Sequence, residues 1–385
     1  MCSSDLALSG LTFAEAGDFV RLGRNLLDRS RARGADVALT LDARLQRAAF
    51  DAIGDRAGAA VALRPADGAI LALASRPSFD PERPGPAFAP GGADEAPALN
   101  RALHGLYPAG STLKILTAAA ALEAGLNPVY ACPGSGFRPA RNTPPIRDHE
   151  YYSALREGRG WDGHGRIGMS EAFRRSSNVY FAQLGQQVGA DRFLAAAYRA
   201  RLTNALPVFE GSSRRMASAA GRLPERAACP PAEVALLAIG QGRGLVTPLH
   251  MAQLAAAVAT DGHPWAPHLR AAAPPVRLDP VFSAATAKRL RSMMREAVVG
   301  GTGRPANVPG LSVAGKTGTA QTPRGEDHSW FVCLAPVEAP RIVLAVVIEH
   351  GGSGSSAAAP AAAAILRAAD RFGLVRPAST AEAAR

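Results

Sequence analysis

The sequence predicts an α+β fold, an α/β sandwich in which helices flank an antiparallel five-stranded sheet. Two observations point to this class: β-like runs occur near both ends of the chain, and a long helical stretch, roughly residues 100–300, separates them. Tight turns within each group of β-like runs indicate antiparallel pairing, because only antiparallel neighbours can be joined by short connections. We therefore expect both chain ends to build one sheet, with a large helical subdomain inserted between them.

The first part of the chain predicts a strand, a helix and a hairpin. Residues 37–41 form a short apolar run, and residues 42–53 place apolar side chains on one helical face. Residues 59–63 and 69–74 are β-like runs joined by a turn at Asp67-Gly68.

The remainder of the chain predicts helices in the middle and strands near the end. Helical patterns cover residues 112–124, 170–188, 231–260 (interrupted at 240–242), 283–298 and 357–372. The β pattern returns at residues 311–321, 329–335 and 341–349, with turns at 323–325 and 336–340. Residues 201–228 show little periodicity and are expected to be loop.

Composition excludes several classes of protein. With 385 residues, 47% of them hydrophobic and 19% charged, the chain is too apolar to be disordered and long enough for a sizeable core. The net charge of +11 is spread over the chain without a basic tract, so we expect no nucleic-acid partner. Four scattered cysteines do not make a disulfide framework.

Two compact motifs contain lysine, although only three of the 43 basic residues are lysines. Ser111 and Lys114 lie one helical turn apart at the start of a predicted helix, where free backbone N–H groups suit an oxyanion. A desolvated lysine can act as the base for a serine hydroxyl, whereas arginine cannot deprotonate. The second motif, Lys316-Thr317-Gly318, lies in a predicted strand, where glycine would let a substrate approach the backbone.

A phosphate-binding loop is the rival interpretation of the second motif, because residues 310–317 fit G-x-x-x-x-G-K-T. Such a loop requires a helix directly after it, and Pro323 with Gly325 leaves no room for one. We therefore interpret Lys316 as part of a strand. A third motif, Ser176-x-Asn178, is weak alone, but it lies between the other two.

Ser-x-x-Lys, Ser-x-Asn and Lys-Thr-Gly, in this order, resemble the signature set of the penicillin-recognising serine enzymes. The stretches YPAGSTLKILTAAAALEAGL, SSNVYFAQLGQQVG, VAGKTGTAQ and HSWFVCLAP resemble the transpeptidase domain of class B penicillin-binding proteins. The resemblance extends over roughly residues 37–372. No segment resembles the glycosyltransferase of class A members.

This resemblance implies a peptidoglycan D,D-transpeptidase without a cofactor, which crosslinks stem peptides through a serine acyl-enzyme and is trapped by β-lactams. Ser111 would be the nucleophile and Lys114 its base, while Ser176 and Lys316 would move a proton to the leaving amine and Asn178 would hold the substrate amide. Thr317, Gly318 and Thr319 would bind the substrate, and the backbone N–H groups of Ser111 and Thr319 would form the oxyanion hole.

The resemblance also implies a domain plan and a location. Residues 1–36 would be the remnant of an N-terminal pedestal or linker, residues 37–375 the transpeptidase domain and residues 376–385 a tail. Our hypothesis is that residues 1–6 are an assembly artefact and that the native N-terminus, with a membrane anchor and contacts to a SEDS-type glycosyltransferase, is missing. The enzyme would work in the periplasm, at the extracytoplasmic face of the inner membrane.

Three questions stay open at this level. A D,D-carboxypeptidase or β-lactamase-like hydrolase would share the fold, although Glu150, Glu157 and Glu171 lie in no motif for a deacylating base. A non-catalytic penicillin-binding scaffold is the alternative of another class. Zinc could be held by a weak set of candidates whose spacing fits no standard motif, namely Cys132, Asp148, Asp162 and His164.

Overall fold

The computed structural model describes residues 36–85, 96–211, 214–322 and 325–376. The expected N-terminal remnant before Asp36, the predicted turn residues 323–324 and the expected tail after Arg376 lie outside this range. Helices cover Ala43–Ile53 (α1), Arg101–His104 (α2), Lys114–Glu123 (α3), His149–Arg156 (α4), Met169–Arg175 (α5), Asn178–Arg199 (α6), Pro231–Ala238 (α7), Pro248–Ala259 (α8), Ala284–Gly300 (α9) and Ala358–Arg371 (α10). Strands cover Gly58–Leu63 (β1), Ile70–Arg76 (β2), Val129–Pro133 (β3), Gly163–Gly168 (β4), Pro207–Glu210 (β5), Arg215–Ala217 (β6), Ala314–Ala320 (β7), His328–Ala335 (β8) and Ile342–Ile348 (β9).

The central sheet has the order β2-β1-β9-β8-β7, and every neighbouring pair is antiparallel. Strands from the two ends of the chain therefore meet between β1 and β9, which confirms the predicted fold class. Strand β9 is buried along its whole length because both faces of the sheet are covered. In this order β7 is an edge strand of the sheet.

Different helices cover the two faces of the sheet. Leu344 and Val346 of β9 pack in one cluster with α1 and the C-terminal helix α10. Val343 and Ala345 point to the opposite cluster, which contains α8, α9 and the inserted helices. The alternation along one strand follows from the two-residue period of β structure. The layered arrangement packs the edge strand β7 against α9, beside the helical insertion.

Several sequence expectations were wrong in detail. Residues 37–41 do not form a regular strand. They pair with the short segment 269–271 through two backbone hydrogen bonds and a bridge between Leu39 and Arg270, and Val37 and Leu39 stay exposed. The middle of the chain also contains the ribbon of β3 and β4, and residues 201–228 contain the hairpin of β5 and β6. Among the described residues, no helix has both the length and the apolarity needed to span a membrane.

Candidate active site

Ser111 lies in a single 3-10 turn, Gly110–Leu113, that leads directly into α3. The helix proper begins at Lys114, slightly later than the sequence predicts. Gly110 has a φ of 53°, and its N–H donates to the carbonyl of Gly240 at 2.9 Å. A Cβ on Gly240 would lie 1.8 Å from Gly110 O, so only glycine permits this backbone contact. The contact fixes the turn that presents Ser111.

Lys114 is completely buried at the start of α3. Its Nζ donates to Ser176 O at 2.6 Å and to Asn178 Oδ1 at 2.7 Å, rather than to Ser111, and lies 5.6 Å from the centre of the Phe181 ring. Burial lowers the pKa of Lys114 to about 7, against the opposing influence of the Asp148 and Glu150 carboxylates. An amine with such a pKa is partly neutral at physiological pH and can accept a proton.

The Ser-x-Asn motif lies at a break between two helices, where the sequence predicts one continuous helix over 170–188. Helix α5 ends at Arg175, Ser176 takes the left-handed conformation with a φ of 62°, and α6 begins at Asn178. This turn directs the Ser176 hydroxyl between the two buried lysines: Oγ is 2.7 Å from Lys316 Nζ and 3.4 Å from Lys114 Nζ.

Lys316 lies on the edge strand β7 and is also completely buried. Its Nζ donates to Ser176 Oγ and, at 3.1 Å, to Thr317 O. Burial, and then repulsion from Lys114, holds the pKa of Lys316 well below its usual value. The charged form of one lysine thus disfavours the charged form of the other, and Ser176 Oγ links the two in one buried cluster.

The three motifs surround one cavity of about 470 Å³. The predicted residues that line it are Ser111, Ser176, Asn178, Thr317 and Thr319. Gly318 instead faces the Ser111 turn, because a Cβ there would lie 2.9 Å from Ala109 O. Among the described strands β7 pairs with β8 alone, and the Thr317 and Thr319 side chains of this edge strand line the cavity.

The cavity wall also contains residues that the sequence did not predict, and two of them contact β7. Thr302 follows α9, and its Oγ1 lies 2.6 Å from Thr317 Oγ1. Gln241 Nε2 is 3.4 Å from Thr319 O. Neither residue carries a local motif, although the Gly240-Gln241-Gly242 interruption could have drawn attention to Gln241.

The structure brings part of the zinc set together, because Asp148 and His164 lie side by side. Cys132 is buried in β3, and Asp162 is exposed. Asp148 accepts hydrogen bonds from the Ser-x-Asn segment, and His164 Nε2 lies 3.6 Å from its Oδ2. Over the part of the chain that the structure describes, no group of three or more His, Cys, Asp or Glu side chains is arranged to hold a metal ion.

Comparison with known proteins agrees with this fold. Residues 58–367 match the penicillin binding protein transpeptidase domain. Peptidoglycan D,D-transpeptidase PbpA of Mycobacterium tuberculosis is 31% identical over 357 residues, covering 83% of this chain and 68% of the relative. MrdA of Acinetobacter baumannii, also named a peptidoglycan D,D-transpeptidase, is 29% identical and covers 89% of this chain and 56% of the relative. The chain belongs to the penicillin-binding protein transpeptidase family.

Solved structures give the same result. Penicillin-binding protein A from M. tuberculosis, as a ceftriaxone acyl-enzyme complex, superposes with a TM-score of 0.81 at 27% identity, over 95% of this chain and 86% of that one. Pseudomonas aeruginosa PBP2 in complex with WCK 5153 superposes with a TM-score of 0.75 at 33% identity, over 90% of this chain and 80% of that one.

Proposed function

We propose that this chain is a peptidoglycan D,D-transpeptidase that acts through an acyl-enzyme on Ser111. The observation that carries the proposal is the meeting of two buried lysines at Ser176, beside Ser111 in one cavity. Lysines without a carboxylate partner in hydrogen-bond contact are costly to bury, so their placement indicates proton chemistry. The acyl-enzyme complex of the M. tuberculosis relative supports the same chemistry here.

In the first half-reaction, neutral Lys114 takes the proton of Ser111 while Oγ attacks the carbonyl between two D-alanines. The backbone N–H groups of Ser111 and Thr319 receive the negative charge of the oxyanion. The C–N bond then breaks, and the leaving D-alanine receives its proton through Ser176. Asn178 orients the substrate amide, so that the carbonyl faces Ser111.

In the second half-reaction, an amine of a neighbouring stem peptide attacks the ester of Ser111. The new amide is the crosslink, and the amine's surplus proton returns the serine to its hydroxyl form. The substrate's terminal carboxylate would lie at Thr317 and Thr319. Its negative charge would raise the pKa of Lys316 and so restore the ammonium form beside it.

Of the three glutamates considered as a deacylating base, two are paired with arginines, and the third, Glu150, lines the cavity. Glu171 is paired with Arg174 and Arg175, and the hydrogen bond from Arg174 lowers its pKa to about 2, which makes it a poor base. Glu157 is paired with Arg159 on the surface. Carboxypeptidase activity would need water to replace the acceptor amine at the same ester.

We place the enzyme at the extracytoplasmic face of the bacterial inner membrane, because its substrate, the peptidoglycan stem peptide, lies there. A SEDS-type glycosyltransferase is the protein partner that we propose. The domain plan with catalytic residues 37–375 is part of the same proposal, and it predicts that a fragment of this span reacts with penicillin unaided.

Intact-protein mass spectrometry after incubation with benzylpenicillin tests the assignment of Ser111. We expect the wild-type protein and the exposed-site control Ser292→Ala to gain one penicilloyl group, and Ser111→Ala to gain none. Rapid penicillin loss without an adduct would identify a β-lactamase-like hydrolase. An adduct that persists in Ser111→Ala would show that another residue is the nucleophile and refute the assignment.

A further inference from the structure

A buried carboxylate lies beside the Ser-x-Asn motif and has no part in the acyl transfer described above. The side chain of Asp148 is only 1% exposed. It accepts a hydrogen bond from the backbone N–H of Asn178, one from Val179 N at 3.1 Å and one from Ser177 Oγ at 3.1 Å. The two N–H groups belong to the first turn of α6, which has no partners of its own for them.

Arg147, the residue before Asp148, and Lys114 hold the side chain of Asn178 in place. Asn178 Nδ2 donates to Arg147 O at 3.0 Å, and Asn178 Oδ1 accepts from Lys114 Nζ at 2.7 Å. Arg147 therefore holds the side chain of Asn178, and Asp148 holds its backbone N–H, although both residues precede Asn178 by about thirty positions in the sequence. Ser176, in its left-handed conformation, lies two residues before Asn178. A displacement of Asp148 would thus disturb the hydrogen bonds that Ser176 and Asn178 make with the two lysines.

Asp148 also contributes charge to this cluster. Its negative charge raises the pKa of the buried Lys114, as does that of Glu150. The other charged or titratable groups in this cluster lie around Lys114 and Asp148: Lys316, Cys132 and His164. His164 Nε2 lies between the two carboxylates, 3.6 Å from Asp148 and 3.8 Å from Glu150, while its Nδ1 faces Arg175.

We propose that Asp148 is a positioning residue for acylation: its carboxylate holds the Ser177–Asn178 backbone in place for Lys114 and supplies the counter-charge of that lysine. The inference rests on the proposed function, because it assigns Asp148 a task in the acylation of Ser111. It gives Asp148 a role that requires no metal ion, unlike the zinc hypothesis from the sequence.

The test compares Asp148→Asn with Asp162→Asn, the same chemical change at an exposed carboxylate of the same region. The second-order rate constant of acylation by a fluorescent penicillin is measured across pH, with a melting curve for each variant. We expect Asp148→Asn to acylate at least about tenfold more slowly, because both carboxylate oxygens accept hydrogen bonds and the amide NH2 group, a donor, would replace one of them. We also expect the acid limb of its pH profile to move to lower pH, because loss of the negative charge favours neutral Lys114.

Should Asp148→Asn fail to fold, Ser177→Ala removes one of the three hydrogen bonds to Asp148, together with the cap that Ser177 Oγ provides for Tyr180 N, and keeps both charges. A few-fold slower acylation with an unmoved acid limb is then the expected result, and the wild-type rate would contradict the proposal. An Asp148→Asn rate within twofold of Asp162→Asn, or an unmoved acid limb, would overturn it.

Two further measurements in the same assay distinguish a metal-binding role of Asp148 from a failure of the proposed function. Wild-type protein dialysed against a strong chelator should keep its acylation rate, whereas a loss that added zinc reverses would show that Asp148 serves a metal ion and overturn the proposal. A wild-type protein that never forms the adduct would refute the proposed function itself, before any effect of Asp148 is measured.

Discussion

At the scale of single residues, the choice of lysine over arginine is the most informative feature of this chain. Arginine supplies nearly all of its basic residues, yet among those that the structure describes Lys114 and Lys316 are the two that lie completely buried. The remaining lysine, Lys288, is exposed on α9. Guanidinium stays protonated under all physiological conditions, so a buried cluster that must release protons requires amines.

Replacing Lys114 by arginine is therefore expected to abolish most acylation. Loss of a general base costs about 10²–10⁴-fold in rate. The rate constant of penicillin acylation measures this directly, and Lys288→Arg, the same change at an exposed site, should react like the wild type. Equal rates for Lys114→Arg and wild type would contradict the role of Lys114 as base.

The pH dependence of acylation follows from the same lysine. Because the pKa of Lys114 is lowered to about 7, its neutral, proton-accepting form grows as the pH rises through that value. We expect the acylation rate to increase with pH and to level off above about pH 8. Stopped-flow measurement with a fluorescent penicillin checks this, and a rate that rises only near the ordinary pKa of lysine, about 10.4, would contradict it.

At the scale of elements, close backbone contacts bring the three motifs together. The Ser111 turn is held against Gly240 on one side and against Gly318 of β7 on the other. Trp330 of the neighbouring strand β8 donates from Nε1 to Pro108 O at 3.1 Å, just before the turn. The position of Ser111 therefore depends on elements that are distant in sequence.

Gly240→Ala should displace the Ser111 turn by more than the strain of a positive φ alone would. Gly240 and Gly125 have nearly equal positive φ values, 76° and 72°, but only Gly240 has a backbone atom within contact distance of an added Cβ. Each substitution carries about 1–3 kcal/mol of backbone strain. We expect acylation to be impaired in Gly240→Ala alone; equal acylation rates in the two variants would contradict the close contact.

The sequence allowed the motifs and most elements to be predicted, but not their local geometry. Apolar periodicity predicts the helices and the strands of the sheet because those segments pack against a core. The left-handed turn at Ser176 interrupts a helical pattern without a glycine or proline, and its local signal is weak: the serine at 177, which caps α6 by accepting from Tyr180 N. The ribbon of β3 and β4 was missed because it is glycine-rich and partly exposed, and the partners of Asp148 depend on tertiary contacts that spacing alone does not specify.

At the scale of the whole molecule, the two ends of the chain depend on each other. Besides the pairing of β1 with β9, Glu349 at the end of β9 accepts hydrogen bonds from Arg101 Nε at 2.8 Å and from Tyr107 OH at 2.6 Å. Arg101 is almost fully buried, and Tyr107 lies four residues before Ser111. This contact joins the end of β9 to the segment that leads to Ser111.

Glu349→Gln should lower the free energy of unfolding by about 1–3 kcal/mol, because it removes the negative charge from hydrogen bonds that are otherwise charge-assisted. Chemical denaturation measures the change. The matched control is Asp51→Asn, which removes the exposed pair of Asp51 with Arg47 and should change stability by less than about 0.5 kcal/mol. Equal effects of the two substitutions would show that the Glu349 contact contributes no more than a surface ion pair.

The central claim is that Ser111 passes an acyl group from a stem peptide to an amine. Its most direct test is to incubate the protein with a synthetic stem pentapeptide ending in D-Ala-D-Ala and an excess of a D-amino acid as acceptor, and to identify products by mass spectrometry. We predict a peptide that has lost its terminal D-alanine and gained the acceptor, formed by the wild type but not by Ser111→Ala. A wild-type protein that yields only the hydrolysed tetrapeptide, or an exchange product that persists in Ser111→Ala, would contradict the account.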